Sequence, residues 1–190
     1  AGAAYIYKNN LDVWTLEEKI CAQDRGTLDF FGYSVSINGN FAIVGAYNDG
    51  EDEFGSETVE GAGSAYIFEN NGSNWTQVNK IVSSDRYIND RFGYSVSISG
   101  EYAVVGAVFE DEDVSGEEHL DFSGSAYLFK NIEGAWQQSR KIIALDRNEQ
   151  DNFGFSVAIC DTLIITGAIQ QAFDSTGGGA ELVAAGAAYI

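Results

Sequence analysis

Phe31-Gly32-Tyr33-Ser34-Val35-Ser36-Ile37 decides the fold because it recurs. It returns as Phe92-Gly93-Tyr94-Ser95-Val96-Ser97-Ile98 and again as Phe153-Gly154-Phe155-Ser156-Val157-Ala158-Ile159, each copy 61 positions after the last. A fixed period of this order, built from short strand-like segments, is the signature of propeller blades and related repeat arrays. Alternating Ser with Tyr, Val and Ile suits a pleated strand.

C-terminal to each copy lies a short turn, Asn38-Gly39-Asn40, Ser99-Gly100-Glu101 or Cys160-Asp161-Thr162. Asn-Gly is a strong hairpin signal. The returning strand is Phe41-Ala42-Ile43-Val44-Gly45-Ala46, Tyr102-Ala103-Val104-Val105-Gly106-Ala107 or Leu163-Ile164-Ile165-Thr166-Gly167-Ala168. Such unbroken apolar runs read as strands covered on both faces, and glycines at their ends let backbones crowd together. A third strand follows, Gly63-Ser64-Ala65-Tyr66-Ile67-Phe68 or Gly124-Ser125-Ala126-Tyr127-Leu128-Phe129, and the chain opens on the same pattern at Ala1-Gly2-Ala3-Ala4-Tyr5-Ile6-Tyr7. Trp14, Trp75 and Trp136 each open a fourth strand, which ends in Lys19-Ile20, Lys80-Ile81 or Lys141-Ile142. Polar connectors carrying Asp24-Arg25, Asp85-Arg86 or Asp146-Arg147, then Asp29, Asp90 or Asp151, lead into the next Phe-Gly strand. Asp in such places is expected to cap turns, with the Arg pairing locally.

Four strands per unit make the blade of a β-propeller. The fold class is therefore all-β: a propeller-type array of four-stranded antiparallel blades, about three of 61 residues, belonging to a larger propeller or assembly. The unit boundaries fall at 24–84, 85–145 and an incomplete 146–190, with 1–23 the last two strands of a preceding blade. A twisted sheet cannot cover both of its faces alone, so the end blades call for self-association or further repeats. The last six residues, Ala185-Gly186-Ala187-Ala188-Tyr189-Ile190, repeat the first six letter for letter. That identity suggests one period of a longer tandem array.

Composition narrows the function. A formal charge of −19, from 29 acidic and 10 basic side chains, excludes a phosphate-gripping surface and with it nucleic acid. It also disfavours anionic membranes, and no apolar run is long enough to insert as a spanning helix. Cys21 and Cys160 fall on different strands of the repeat, beyond disulfide reach, and read as isolated thiols. His119 is the only histidine, and no Ser or Cys stands in a nucleophile-elbow context. The expectation is that the chain is not an enzyme.

Phe31-Gly32 with Gly45-Ala46, Phe92-Gly93 with Gly106-Ala107, and Phe153-Gly154 with Gly167-Ala168 resemble the FG-GAP repeats of integrin α-chain propellers. The Gly-Ser-Ala-Tyr and Trp strands bring the resemblance closer to the variant found in bacterial surface and secreted proteins. It spans essentially the whole chain. It implies a β-propeller placed at a cell surface or secreted, a role in adhesion, structure or the binding of a protein or glycan, and no catalysis. Integrin-type blades carry a calcium loop between the Phe-Gly and Gly-Ala strands. Here that segment has shrunk to Ser36-Ile37-Asn38-Gly39-Asn40, which offers too few oxygens for six to eight ligands.

The candidate metal sites are instead the acidic loops after Gly-Ala. In Asp111-Glu112-Asp113-Val114-Ser115-Gly116, oxygens of Asp111, Asp113 and Ser115 alternate ahead of a glycine, as calcium loops arrange them. The first copy offers Asp49, Glu51 and Glu53, and the third, around Asp174, has almost no charge. Calcium is the cofactor these loops would take. A signal that fades across three otherwise regular copies looks more like variable, solvated surface loops. The leading reading is a non-catalytic extracellular structural, adhesive or protein-binding module, and the alternative is a Ca²⁺-dependent, integrin-like ligand-binding domain.

Overall fold

The computed structural model describes residues 1–56, 58–172 and 184–190. Thirteen strands and no helix run through these residues. A hairpin comes first, β1 (Ala4–Asn10) with β2 (Val13–Ile20). The first complete blade is β3 (Ser34–Asn38), β4 (Phe41–Ala46), β5 (Ser64–Asn70) and β6 (Trp75–Ile81), each strand antiparallel to the next. The second is β7 (Phe92–Ser99), β8 (Tyr102–Ala107), β9 (Ser125–Ile132) and β10 (Ala135–Ile142). The last sheet holds three strands, β11 (Phe153–Cys160), β12 (Leu163–Ala168) and β13 (Ala187–Tyr189). Among the described residues two blades are thus complete and the third sheet holds three strands, in keeping with the incomplete third unit expected from the sequence.

The hairpin turns follow from local chemistry. Gly39 and Gly100 open their two-residue turns with φ of +57° and +56°, in the left-handed region where glycine carries no Cβ penalty. Asp161 takes the same place at +52°, and Asp is among the few side chains that tolerate it. No atom lies within 4 Å of a Cβ built on Gly39 or Gly100. The backbone conformation, and not the surroundings, is therefore what favours glycine there.

The core lies between blades rather than within them. In β4, Ile43 packs toward the second blade, with Phe92, Val96, Val105 and Trp136, while Ala42 and Val44 face the first hairpin, with Ile6, Ile20, Phe31 and Trp75. β8 repeats the division, Ala103 and Val105 one way and Val104 the other, toward Phe153 and Ala168. This explains why β4 and β8 are buried along almost their whole length.

The inner strands approach so closely that the backbone sets the residue type. A Cβ on Gly45 would lie 2.0 Å from the carbonyl oxygen of Gly93, and one on Gly106 would lie 2.0 Å from that of Gly154. Ser34 and Ser95 donate their hydroxyls to those same carbonyls, at 2.8 and 2.7 Å. The amides of Ile98 and Ile159 donate back to Ser36 and Ser97. The recurring Phe-Gly-x-Ser-x-Ser pattern is therefore a seam of blade-to-blade hydrogen bonds. Cys21 and Cys160 are both free thiols.

Candidate functional site

Three polar features stand on this frame: a buried ion cluster repeated in each complete blade, the acidic loops, and a row of aromatic rings along the starts of the inner strands.

The ion cluster joins parts of the repeat that are distant in sequence. Lys80, at the end of β6, lies 2.7 Å from Asp24 of the preceding connector and 2.8 Å from Asp49 beyond β4, and its ammonium sits over the ring of Tyr66. The Tyr66 hydroxyl donates to Asp49. One repeat later Lys141 meets Asp85 at 2.8 Å and Glu110 at 2.7 Å, with Tyr127 donating to Asp85 and Ser125 to Glu110. Burial alone would lower both lysines. The hydrogen bonds and the negative charges of the two carboxylates together outweigh it and hold each pKa above the ordinary lysine value. Burial raises the Tyr66 and Tyr127 hydroxyls, and the neighbouring carboxylates raise them further. Burial also raises Glu110, against the pull of Lys141 and Ser125. An ammonium held this firmly in its charged form is neither a base nor a nucleophile. The cluster is a clasp that ties β5 and β6 to the connector entering the blade.

Each connector Asp ahead of Phe-Gly caps its turn, accepting from the amides of Gly26, Tyr87 and Asn148 for Asp29, Asp90 and Asp151 respectively. Burial pushes Asp90 up to about 8, despite the Tyr87 amide, with the charges of Glu110 and Asp85 adding to it. The arginines reach farther than expected. Arg86 donates to the Gly50 carbonyl of the preceding blade's loop, and Arg147 donates to Asp111 O and Ser123 Oγ, both at 2.7 Å. They cross-link blades where a local pairing was expected.

The acidic loops do not assemble as their spacing suggests. Asp113 accepts from the Ser115 amide at 3.0 Å, the Ser115 hydroxyl at 2.7 Å and the Glu117 amide at 3.1 Å, and these bonds, the hydroxyl first, pull its pKa down to about 2. Asp111 is turned elsewhere. With His119 and Asp121 it forms a group whose ligand atoms lie within 4.8 Å of one another, His119 Nε2 being 3.0 Å from Asp121 and 3.8 Å from Asp111. In the first loop Asp49 is committed to the Lys80 clasp, Glu51 bridges Thr58 through its backbone, and Glu53 is exposed. Asp52, equivalent to Asp113, accepts from the amides of Phe54 and Ser56 at 3.0 and 2.7 Å. The third loop, around Asp174, lies outside the described residues.

The aromatic row is built from one position per blade. The Tyr33 ring lies 4.9 Å from that of Tyr94 and tilted by 53° to it, and Tyr94 lies 5.3 Å from Phe155. Tyr47 joins Tyr33 at 4.5 Å and Phe30 at 5.2 Å, and the Arg91 guanidinium lies 5.3 Å over the Tyr47 ring. Tyr33 and Phe30 remain 49% and 43% exposed, so the row is a surface as well as a packing contact. The hydrogen bond with Tyr94 and burial push the Tyr33 hydroxyl up to about 12.

Three segments, residues 14–68, 75–129 and 136–190, match the family model of the FG-GAP repeat. The chain belongs to the FG-GAP repeat family. The matched segments run from each tryptophan strand to the next aromatic strand, so they cut across the sheets, which run from Phe-Gly to Trp. FG-GAP repeats build propeller-like modules that bind proteins and typically stand outside the cell or on its surface. A search of curated proteins returned no match. Among the described residues no helix is long and apolar enough to cross a membrane.

The clasp is not evident from local sequence, although its parts recur with the repeat. The lysines 19, 80 and 141 and the aspartates 24, 85 and 146 recur at the same period, and a search for opposite charges sharing a period would have paired them. Nothing in the sequence placed His119 beside Asp111 and Asp121, because only the fold of the loop brings them together.

Proposed function

We propose that this chain is a non-catalytic, extracellular adhesive or structural module that binds a protein through the aromatic row of Tyr33, Tyr94, Phe155, Tyr47 and Phe30. The carrying observation is that rings from three successive repeats lie tilted against one another in one row, open to solvent at Tyr33 and Phe30, with Arg91 laid over Tyr47. Tyr, Phe and Arg are the residues enriched at the centres of protein interfaces. Rings presented from a rigid sheet lose little entropy on binding. The acidic remainder of the surface keeps such a module soluble and repels nucleic acid.

The test is binding of the intact chain to a panel of immobilised purified extracellular proteins and glycans, beside a Tyr33→Ala/Tyr94→Ala variant with an intact melting transition. Binding lost in the variant supports the reading. Equal binding by both, or no binding to any member, removes it.

A second reading, cation-dependent binding, is favoured by the Asp111–His119–Asp121 group. An imidazole between two carboxylates suits a borderline divalent ion better than calcium, which prefers an all-oxygen shell. A melting curve with and without chelator decides it, since a saturated site that binds only the native state adds several kcal/mol.

A further inference from the structure

Negative charge is gathered at one end of the blades. Because neighbouring strands are antiparallel, the connectors into the Phe-Gly strands and the long loops after β4 and β8 emerge at the same end, and the short hairpin turns at the other. The connectors and long loops hold most of the 29 acidic side chains. The short turns hold Asp12, Glu101, Glu133 and Asp161, and the strands carry more basic side chains than acidic ones. The acidic end is one continuous surface, since the amides of Asn89, Arg91 and Phe92 lay a connector along the preceding loop by donating to the carbonyls of Glu60, Gly61 and Ala62.

The aromatic row stands at this end, Phe30 and Arg91 lying in connectors and Tyr47 opening a long loop. We infer that the protein bound by the row is a basic one, docked through a lysine- and arginine-rich segment whose apolar side chains meet the rings while its cations meet the surrounding carboxylates. This rests on the reading of the row as a binding surface and adds the chemistry of the partner.

Part of the acidity serves the fold itself. Asp24, Asp49, Asp85 and Glu110 are committed to Lys80 and Lys141, and Asp29, Asp90 and Asp151 to turn amides. Arg86 and Arg147 are engaged in turn by the carbonyls of Gly50 and Asp111. What remains is unbalanced. Among the described residues no Lys or Arg lies within ion-pair distance of Glu53, Glu60, Glu112, Asp113 or Glu117, and Glu53, Glu60 and Glu117 are exposed. Solubility is served by charges of both signs interspersed over a surface. Gathering one sign at one end adds self-repulsion, which a cationic partner relieves.

The rings and the charge adjoin. A recess of about 320 Å³ is lined by Asp29, Asn48, Asp49, Glu51 and Glu60 among others, and no Lys or Arg lines it. Asp29 and Asn48 are chain neighbours of the ring residues Phe30 and Tyr47. The Asn48 amide donates to Asp29 O, and its side chain donates to Leu28 O at 3.0 Å, so the recess and the row share a wall. A concave site lined by one sign of charge focuses its field and raises the local concentration of the opposite sign.

Arg91 sets the register. Held by Asn48 Oδ1 and laid over the Tyr47 ring, it places a positive charge on the row itself. A partner's cation is repelled from that point and drawn to the acidic flank, which leaves the rings to apolar side chains. Attraction in one place and repulsion in another is how an interface selects a single alignment. The carboxylates act mainly on the rate of encounter, and their effect is screened by salt. The rings, once covered, govern how long the complex lasts.

The experiment measures binding of the intact chain to three short synthetic peptides, one alternating Lys with Leu, one Lys with Ser and one Glu with Leu. The Lys/Leu peptide should bind saturably and at least about tenfold tighter than the Lys/Ser peptide, and the Glu/Leu peptide should not bind. Raising the salt from about 0.05 M to about 0.5 M should weaken the Lys/Leu complex at least about tenfold. Glu51→Gln/Glu60→Gln, which keeps the shape of the recess and removes its charge, should weaken it at least about fivefold and flatten the salt dependence. Tyr33→Ala/Tyr94→Ala, checked for an intact melting transition, should reduce it to the level of the Lys/Ser peptide. No binding of the Lys/Leu peptide at low salt overturns the proposal. Equal binding of the Lys/Leu and Lys/Ser peptides shows adsorption by charge alone and also overturns it, as does equal binding of the Glu/Leu peptide. If a protein partner is lost with the tyrosine pair yet is indifferent to the glutamate pair and to salt, the row remains a binding surface and the basic partner falls.

Discussion

Trp136 and Trp14 occupy the same place in the repeat and meet opposite fates. Trp136 is 6% exposed and packs edge-on against Phe41 of the preceding blade at 5.6 Å, while Trp14 is 67% exposed. The same division runs through Lys141 and Lys19, and through Gly106 and Gly167. Side chains with the same local sequence become structural only where a neighbouring blade lies against them. The energetic unit of this protein is therefore the interface between blades, as stacked repeats require when no repeat can cover its own faces.

The contrast is open to attack at each of these pairs. The widest gap should separate Trp136→Ala, which opens a cavity between blades and costs about 3–5 kcal/mol, from Trp14→Ala, which in the dilute chain should stay within about 0.5 kcal/mol. Chemical denaturation of both variants checks this, and equal losses would break the comparison. Lys141→Met should come next. Removing the cation leaves Asp85 and Glu110 uncompensated, at a cost of about 3–5 kcal/mol for breaking a buried pair. Lys19→Met in the dilute chain should do almost nothing. A smaller but definite loss, about 1–3 kcal/mol, is expected of Gly106→Ala, whose Cβ meets a carbonyl that only a backbone shift can move. Gly167→Ala serves as its mild control.

The remaining test concerns pH, and its size depends on the range sampled. Asp90 ordinarily titrates near 3.8 and in the fold near 8, so the folded state holds its proton more tightly than the unfolded chain. Its contribution is whole below about pH 4 and is lost as pH rises through about 8. Melting temperatures of Asp90→Asn and the parent chain, measured between pH 5 and 8, should diverge in favour of the variant as pH rises. The gap should grow by no more than about 1.4 kcal/mol per pH unit. Parallel curves would show that Asp90 is ionised in the native chain.

Most of the fold was legible in the sequence because its period is strict. Three Phe-Gly strands at constant spacing, each with its Gly-Ala return, leave no room for another architecture, and β4 and β8 are buried as their apolar runs implied. The third blade departs because burial is not a property of a strand alone. Leu163 and Ile165 are as apolar as their counterparts, yet stay 64% and 42% exposed where no sheet covers them. The candidate metal ligands were legible only as composition. Asp113 and Ser115 did lie together, but bonded to one another in a turn, and Asp49 was drawn into the clasp. Alternating oxygens in a loop look alike whether they surround an ion or the loop's own amides.

By itself the sequence determined the repeat, its four-strand build and the turns between strands, because periodicity, glycine conformation and strand patterning act over a few residues. Only the tertiary structure decided which of three equivalent lysines is clasped, which tryptophan is buried and which glycine faces a carbonyl. Each of those outcomes depends on whether a second sheet lies within contact distance, and no local pattern records that.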